Sequence, residues 1–443
     1  MAFSADLAAR ALALGLADVA PSALAVAKAT LLDTLAVALA ARSERVVSAV
    51  TGFIADETRE GPCTIWATLG RAGPARAALA NGTAAHALDF DDVCWAMNAH
   101  PSAVLWPTVL AVAESVGASG AAALLGYVAG FEAEAEIGAL LGRSHYAAGF
   151  HPTSTIGTLG AAVSAGKILG LDEPSLLRAI GIACSEAAGS RMNFGTDTKP
   201  LHAGLAAQAG VTAALLAARG VTAREDGIEA PMGLVALYAG EGKGAVRRRE
   251  LALLDPGVEL KPYPSCRFTH RVIDAVLALR ERRGTRDLTA LACSVDPFAE
   301  RIVIYPRPRN GLEAKFSMQY CAAVAWLDGW PTLAAFADDR ASAPDVQHLL
   351  ARVVVEPGSP EAETVTARYR DGSTDSETVR VAKGSPSHPL TDAERLAKVR
   401  ACAARAPGVD IELLARAVEG MDAMPDVRAL GPLLGAPRRS DDG

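Results

Sequence analysis

Aromatic residues are scarce in this sequence: they make up 5% of its 443 residues, whereas half of all residues are hydrophobic. The core must therefore be built mainly from alanine, leucine and valine. Because alanine has the highest helix propensity and a poor strand propensity, this shortage favours closely packed helices over a large sheet. A chain of this length is expected to form two or three domains, or one large domain with an insertion.

Blocks of basic residues are missing too, and the formal net charge is −7. We therefore expect neither nucleic acid nor an anionic membrane surface as a partner. The longest apolar stretch, residues 23–41, is interrupted by Lys28 and Asp33, which predicts a core helix and no membrane span. The first residues lack the basic start and the apolar run of a secretory signal. We expect a cytoplasmic protein.

The seven cysteines are scattered, and no two of them lie within four residues of each other. An odd, dispersed set of thiols suits a reducing compartment. It also offers no local ligand pattern for a zinc finger or an iron–sulfur cluster. The sequence therefore predicts a site without a metal.

Helical periodicity runs from residue 5 to about residue 254 and returns after residue 390. Ser22 is predicted to cap the first long helix, and Gly170 and Gly220 stand where helices should end. The predicted helices are 22–42, 83–88, 102–115, 154–169, 173–188, 201–218, 391–405 and 410–420. Predicted strands lie between them at 301–305 and 352–356, and residues 363–370 and 376–381 form a predicted hairpin.

These patterns predict a mainly α protein with a large all-helical domain and a smaller α/β lid domain. We expect the helical domain over residues 1–264 and the lid over residues 265–390. The C-terminal helices, in residues 391–443, are expected to return to the helical domain.

Four of the eight histidines lie in short segments rich in proline, glycine, serine or threonine: His100, His151, His202 and His270. Imidazoles titrate near neutrality, so such segments can provide both an acid and a base. Lys199 comes just before a predicted helix start, where its charge faces the positive end of the helix dipole. That position is unfavourable unless an anion lies between them. The pattern is typical of an acid/base site for an anionic substrate.

Two further segments carry polar groups. Asp89, Asp91 and Asp92 fall within four residues, which suits a divalent metal, a carboxylate that orients a histidine, or simply a solvated acidic loop. Residues 261–270 combine two prolines with several cations and are either a site wall or an interdomain linker. Cys266 within them is a possible nucleophile, although no base is fixed beside it.

With these segments the chain resembles the MmgE/PrpD family, which includes 2-methylcitrate dehydratase, cis-aconitate decarboxylase and iminodisuccinate epimerase. The matching stretches span nearly the whole chain in the family's order: 81–92, 100–102, 149–160, 198–204, 261–270, 315–317 and 384–391. The resemblance implies a helical domain built from both ends of the chain, a smaller α/β lid, a homodimer and a cofactor-free active site between the domains.

By position, the resemblance implies site residues at Asp89, His100, His151, Lys199, His270 and Tyr305, and the polar segments add Ser102 and Arg267 as candidates. The catalytic set is Asp89, His100, His151 and His270, and the substrate-binding set is Ser102, Lys199, Arg267 and Tyr305. One departure is Val93, where relatives commonly carry a threonine that touches the substrate region. The departure leaves the identity of the substrate open.

The resulting prediction is a cofactor-independent lyase that acts on a small di- or tricarboxylate by His/Lys acid–base chemistry. The reaction is either dehydration of a 2-methylcitrate-like substrate or decarboxylation of a cis-aconitate-like one. An epimerase of an iminodisuccinate-like dicarboxylate is the first alternative, because all three reactions pass through a carbanion next to a carboxylate. A non-catalytic binding protein on the same scaffold and a metal-dependent hydro-lyase are the others.

Overall fold

The computed structural model describes residues 2–58, 60–239, 244, 246, 250–285 and 287–435. Its α-helices are α1 (Phe3–Ala13), α2 (Pro21–Ala40), α3 (Arg45–Glu57), α4 (Pro74–His86), α5 (Ser102–Val116), α6 (Gly120–Ala147), α7 (Pro152–Ile168), α8 (Glu173–Glu186), α9 (Thr198–Ala217), α10 (Leu234–Tyr238), α11 (His270–Arg283), α12 (Pro297–Glu300), α13 (Gly311–Ala314), α14 (Met318–Asp328), α15 (Asp338–Ala341), α16 (Pro344–Leu350), α17 (Asp392–Ala403) and α18 (Ile411–Glu419). Its strands are β1 (Cys63–Thr64), β2 (Arg71–Ala72), β3 (Leu288–Val295), β4 (Val353–Pro357), β5 (Glu363–Tyr369) and β6 (Thr374–Val379).

The buried apolar side chains form two clusters, which define a helical unit and a smaller α/β unit. The first cluster begins at Leu7, runs through the long helices, and takes in residues between Val399 and Leu434. The helices α17 and α18 pack against α2, so the helical unit is built from both ends of the chain. The second cluster joins α11 and α14 to the larger sheet. The predicted fold class is confirmed. Residues 436–443, the end of the predicted C-terminal segment, lie outside the described ranges.

The larger sheet has the strand order β4-β3-β5-β6, with β3 parallel to β4 and antiparallel to β5. The predicted hairpin is present as β5 and β6, and the strand predicted at 352–356 is β4. The strand predicted at 301–305 is wrong. Arg301 is the C-cap residue of α12, and Ile304 makes one isolated bridge with Ser317. The strand β3 was not predicted because its alanine, serine and cysteine residues obscure the alternating burial.

The helix boundaries follow local chemistry. The helix α2 begins at Pro21 with Ala20 before it, so Ser22 lies inside the first turn and is not the predicted cap. Proline is favourable there because its fixed φ suits the first helical position. Gly170 and Gly220 have φ of +66° and +85°, which confirms the predicted helix ends.

Close packing of α4 against α9 sets the position of the site. A Cβ atom on Gly82 would lie 2.9 Å from the Cα atom of Gly204, so the two backbones can touch only because both residues are glycine. The contact brings His86, at the end of α4, next to Lys199, in the first turn of α9. Two helices, α2 and α9, are long and apolar enough to cross a membrane, but 67% and 61% of their most apolar windows are buried inside the protein, as expected of core helices.

Candidate active site

A cavity of about 450 Å³ lies between the helical and the α/β units. Residues from the helical unit form one side: Asp89, Val93, Trp95, Asn98, His100, Arg143, Tyr146, His151, Phe194 and Lys199. Residues from the second unit form the other: Cys266, Arg267, Phe268, Arg271, Asp296, Phe298, Phe316 and Pro360. Imidazoles, one ammonium group and several guanidinium groups therefore face the same space.

Four histidine rings meet at the inner wall of this cavity. The ring of His86 lies behind the wall, with its centroid 4.6 Å from that of His100 and 5.9 Å from that of His151. The rings of His151 and His202 are 5.3 Å apart, and their Nδ1 atoms are 3.1 Å apart. Because two neutral rings can share only one proton in such a contact, one of them donates and the other accepts.

The contacts of Lys199 determine which nitrogens carry protons. An ammonium group can only donate, so the 3.0 Å contact from Lys199 Nζ makes His86 Nε2 an acceptor. His86 then donates from Nδ1 to Asp91 Oδ2 over 2.8 Å. The Nδ1 atom of His100 is 2.8 Å from the carbonyl oxygen of Asp92 and 3.2 Å from Asp91 Oδ2. It is therefore the donor nitrogen, which leaves Nε2 of His100 as the basic atom.

Asp89 is held by two lysines that are distant from it in the sequence. Its backbone has φ of +52°, a left-handed conformation that aspartate tolerates better than most residues. Lys199 Nζ forms an ion pair with it at 3.0 Å, and Lys261 Nζ lies 2.5 Å from its other carboxylate oxygen. A third buried lysine, Lys315, donates to the carbonyl oxygen of Leu88 over 2.5 Å. The second unit thus fixes the Leu88–Asp89 segment against the cavity.

Burial and these charges shift the pKa values of the site. Burial opposes ionisation of Asp89, but the ammonium groups of Lys199 and Lys261 hold its pKa well below the usual value. Burial lowers the pKa of His100 to about 3. Burial also holds the pKa of His151 well below its usual value, and the positive charge of Lys199 lowers it further. The expectation of near-neutral titration is therefore corrected: in this structure the imidazoles are neutral.

Three of these groups could also approach a metal ion. One ligand atom each from His86, Asp91 and His100 lies within 4.8 Å of the other two. In a tetrahedral zinc site, ligand atoms about 2.0–2.1 Å from the ion are roughly 3.4 Å apart. The Asp91 contacts of 2.8 Å and 3.2 Å are shorter and suit direct hydrogen bonds. The geometry favours a carboxylate that orients two imidazoles.

A model of the MmgE/PrpD N-terminal domain matches residues 5–245, and one of the C-terminal domain matches residues 263–419. The chain is similar to the cis-aconitate decarboxylase of Mus musculus, at 31% identity over 94% of this chain and 90% of the relative. The Homo sapiens protein of the same name is 30% identical over 93% and 90%, and that of Aspergillus terreus 27% over 96% and 94%.

This chain belongs to the MmgE/PrpD family. It is a lyase of that family, and the resemblance drawn from the sequence is confirmed. The chain covers most of each relative, so the comparison extends over both units and the cavity between them.

The structure brings five of the eight predicted site residues of this MmgE/PrpD lyase onto the cavity wall: Asp89, His100, His151, Lys199 and Arg267. The guanidinium group of Arg267 is paired with the buried carboxylate of Glu259, so its charge is partly neutralised. Val93, the position that the resemblance marked as a departure, also lines the cavity.

The structure places the other three predicted site residues off the cavity wall. Ser102 is buried and donates from its hydroxyl to Asp92. Tyr305 donates to the carbonyl oxygen of Phe194 over 2.8 Å and so supports a wall residue. His270 is fully buried behind the wall, where burial holds its pKa well below the usual value. Its ring packs against that of Tyr263, as befits a residue that supports the loop.

Cys266 lines the cavity but is not an activated nucleophile. Burial and then the charge of Asp89 raise the pKa of its thiol to about 11, so the thiol stays protonated near neutrality. No sequence pattern predicted a role for His86 or Lys261, and several roles were open for Asp91. One signal in the sequence could have predicted the contact of Asp91 with His86. Asp91 follows the last residue of α4, His86, by five positions, and a chain that turns at a helix end can bring two such side chains together.

Proposed function

We propose that this MmgE/PrpD lyase is a carboxy-lyase that decarboxylates cis-aconitate or a close tricarboxylate analogue without a cofactor. One observation carries the proposal: Lys199 and the two imidazoles His100 and His151 share one wall of a cavity between the units. The similarity to proteins named cis-aconitate decarboxylase supports the choice of substrate. A homodimeric state and a cytoplasmic location are further parts of the proposal.

The chemistry needs one proton and a place for negative charge. In cis-aconitate, the carboxylate on the methylene carbon leaves as carbon dioxide, and its bond electrons spread over the adjacent double bond into a conjugated carboxylate. A proton then adds to the carbon at the far end of that system. The product is methylenesuccinate, so a trianion and one proton become a dianion and carbon dioxide. Cations near the conjugated carboxylate stabilise the intermediate.

Lys199 is suited to that stabilising role. Its ammonium group lies 5.5 Å and 5.4 Å from the ring centroids of Phe194 and Phe316, which also line the cavity. Apolar rings keep water away, and a charge acts more strongly where water is excluded. Asp89 and His86 hold the ammonium group in place. We propose that it binds the carboxylate into which the charge spreads.

One of the two wall imidazoles is the proposed proton donor. Both are neutral in this structure because burial lowers their pKa. A bound trianion favours the charged form of a nearby imidazole, so the imidazole would take up a proton from the solvent when the substrate binds. His100 is oriented for this by Asp91 and the backbone of Asp92, with Nε2 left to accept the proton.

The test is proton NMR in deuterated water with the purified protein and, in separate samples, cis-aconitate, citrate, 2-methylcitrate and iminodisuccinate. The proposal expects methylenesuccinate with one deuterium from cis-aconitate, and no metal requirement. Loss of water from 2-methylcitrate without carbon dioxide release would identify a dehydratase. Silent exchange of a proton α to a carboxylate would identify an epimerase. No change in any sample, together with tight ligand binding, would leave a binding protein.

A further inference from the structure

The cavity contains two arginines whose charge the proposed chemistry does not use. Arg143 comes from α6 of the helical unit, and Arg271 comes from α11 of the α/β unit. Both line the cavity that holds Lys199. Among the described residues, neither has a carboxylate partner within 4.0 Å, and Arg271 donates to the carbonyl oxygen of Pro360 over 3.2 Å.

The other cations of the cavity wall are already paired. The ammonium group of Lys199 lies against Asp89, and the guanidinium group of Arg267 is bound by Glu259. Asp296 is the second carboxylate on the wall, and it accepts a hydrogen bond from the backbone N–H of Phe298. A trianion therefore meets a nearly neutralised inner wall. The positive charges of Arg143 and Arg271, the more exposed cations of the cavity, would complete the balance with the negative charge of the substrate.

We propose that Arg143 and Arg271 form an outer carboxylate subsite, which makes the enzyme select tricarboxylates over dicarboxylates. The proposal rests on the proposed function for the substrate class. A guanidinium group presents paired N–H donors that match the two oxygens of a carboxylate. Because the two arginines belong to different units, a carboxylate held between them also bridges the helical and α/β units.

The effect should be moderate and sensitive to salt. Arg143 is exposed and Arg271 is half-buried, so water and ions screen their charges more than that of Lys199. Each arginine should therefore contribute about a fivefold to tenfold preference for the ligand with the additional carboxylate. The preference should shrink as ionic strength rises.

The experiment uses ligands that cannot react. Isothermal titration calorimetry gives Kd for propane-1,2,3-tricarboxylate and for glutarate, which has the same five-carbon chain without the central carboxylate. The wild-type protein should bind the tricarboxylate at least tenfold more tightly. Arg143→Gln and Arg271→Gln should each reduce that ratio several-fold, and the double variant should bring it close to one. Arg219→Gln, at an exposed arginine beyond the end of α9, is the control and should keep the wild-type ratio.

The ratio of the two Kd values separates the subsite from the reaction. A wild-type ratio near one, or an unchanged ratio in the double variant, would overturn the subsite. Decarboxylation of cis-aconitate is measured separately by NMR. If the ratio behaves as expected but no carbon dioxide is released, the subsite stands and the proposed reaction fails. Thermal melting of each variant shows whether it has folded.

Discussion

The carboxylate of Asp91 accepts a hydrogen bond from Nδ1 of His86 over 2.8 Å, and both side chains are fully buried. The same carboxylate oxygen lies 3.2 Å from His100, which faces the cavity. Asp91 does not reach the cavity itself. It orients two imidazoles from behind, and a carboxylate in that position fixes the ring and its tautomer.

Asp91→Asn should therefore lower kcat far more than it changes KM. Both imidazoles contact the same carboxylate oxygen, and a neutral amide oxygen in its place is a weaker acceptor for their N–H groups. Loss of a positioning contact of this kind costs about 10–100-fold in activity. Steady-state kinetics with cis-aconitate measure it, and Asp371→Asn in the β5–β6 turn is the control. An unchanged kcat, or an effect confined to KM, would remove Asp91 from the orienting role.

Lys199→Ala should raise KM for a tricarboxylate about tenfold or more and should lower kcat as well. The ammonium group faces a bound anion, and a hydrogen bond to a charged group is worth roughly 1.5–3 kcal/mol. It also stabilises the intermediate, so both constants respond. Lys383→Gln, which removes a surface ion pair with Glu394, serves as the control. If the two variants had the same kinetic constants, Lys199 would not belong to the site.

The enzyme should keep its activity after exhaustive treatment with a chelator. The motivation is the short hydrogen bonds that Asp91 makes with His86 and His100, which suit direct contacts better than a shared ion. Elemental analysis of active protein should find iron and zinc well below one per chain. Stoichiometric metal together with loss of turnover on chelation would contradict this.

The stability of the protein should depend on pH through His145. Burial lowers the pKa of this histidine to about 4, and the hydrogen bond between its ring and the carbonyl oxygen of Tyr238 opposes this shift only in part. The unfolded chain binds a proton near pH 6.5 and the folded chain does not. The contribution of neutral, buried His145 to the free energy of unfolding is therefore present above pH 6.5 and is lost as the pH falls from about 6.5 to about 4.

A difference between two proteins isolates this contribution. Burial raises the pKa of Asp92 to about 7, and such carboxyl groups act in the opposite direction. The melting temperatures of the wild type and of His145→Gln should therefore be compared at pH 7.5 and pH 5. The melting temperature of the wild type should exceed that of the variant by a smaller margin at pH 5 than at pH 7.5. Parallel curves at both pH values would show that His145 does not titrate between the two states.

Much of the architecture could be predicted because local chemistry decides it. Alanine-rich periodicity marks the long helices, and the glycines at 170 and 220 mark their ends. The strand β3 was missed because its alternating buried residues, Leu291, Cys293 and Val295, stand among small neighbours. The segment 301–305 has strand-forming side chains but no strand to pair with. Pairing depends on the rest of the fold, and no local pattern reveals it.

The residues of the candidate site also divide into those that the sequence could predict and those that it could not. His100, His151 and Lys199 were recognisable because each stands in or beside a polar segment that precedes a helix. His270 has a similar setting, yet the backbone directs it into the second core against Tyr263. The contact between His86 and Lys199 depends on how α4 and α9 cross, which two facing glycines permit. Only the three-dimensional packing shows which of several polar residues reaches the cavity.

The most direct test of the central claim is the rate of carbon dioxide release from cis-aconitate by the wild type, His100→Asn and His270→Asn. The account predicts turnover by the wild type, a loss of about 10²–10⁴ in kcat for His100→Asn, and a much smaller loss for folded His270→Asn. His100 faces the cavity as a proton carrier, whereas His270 supports the loop behind it. No release by the wild type, or equal losses in both variants, would contradict the account.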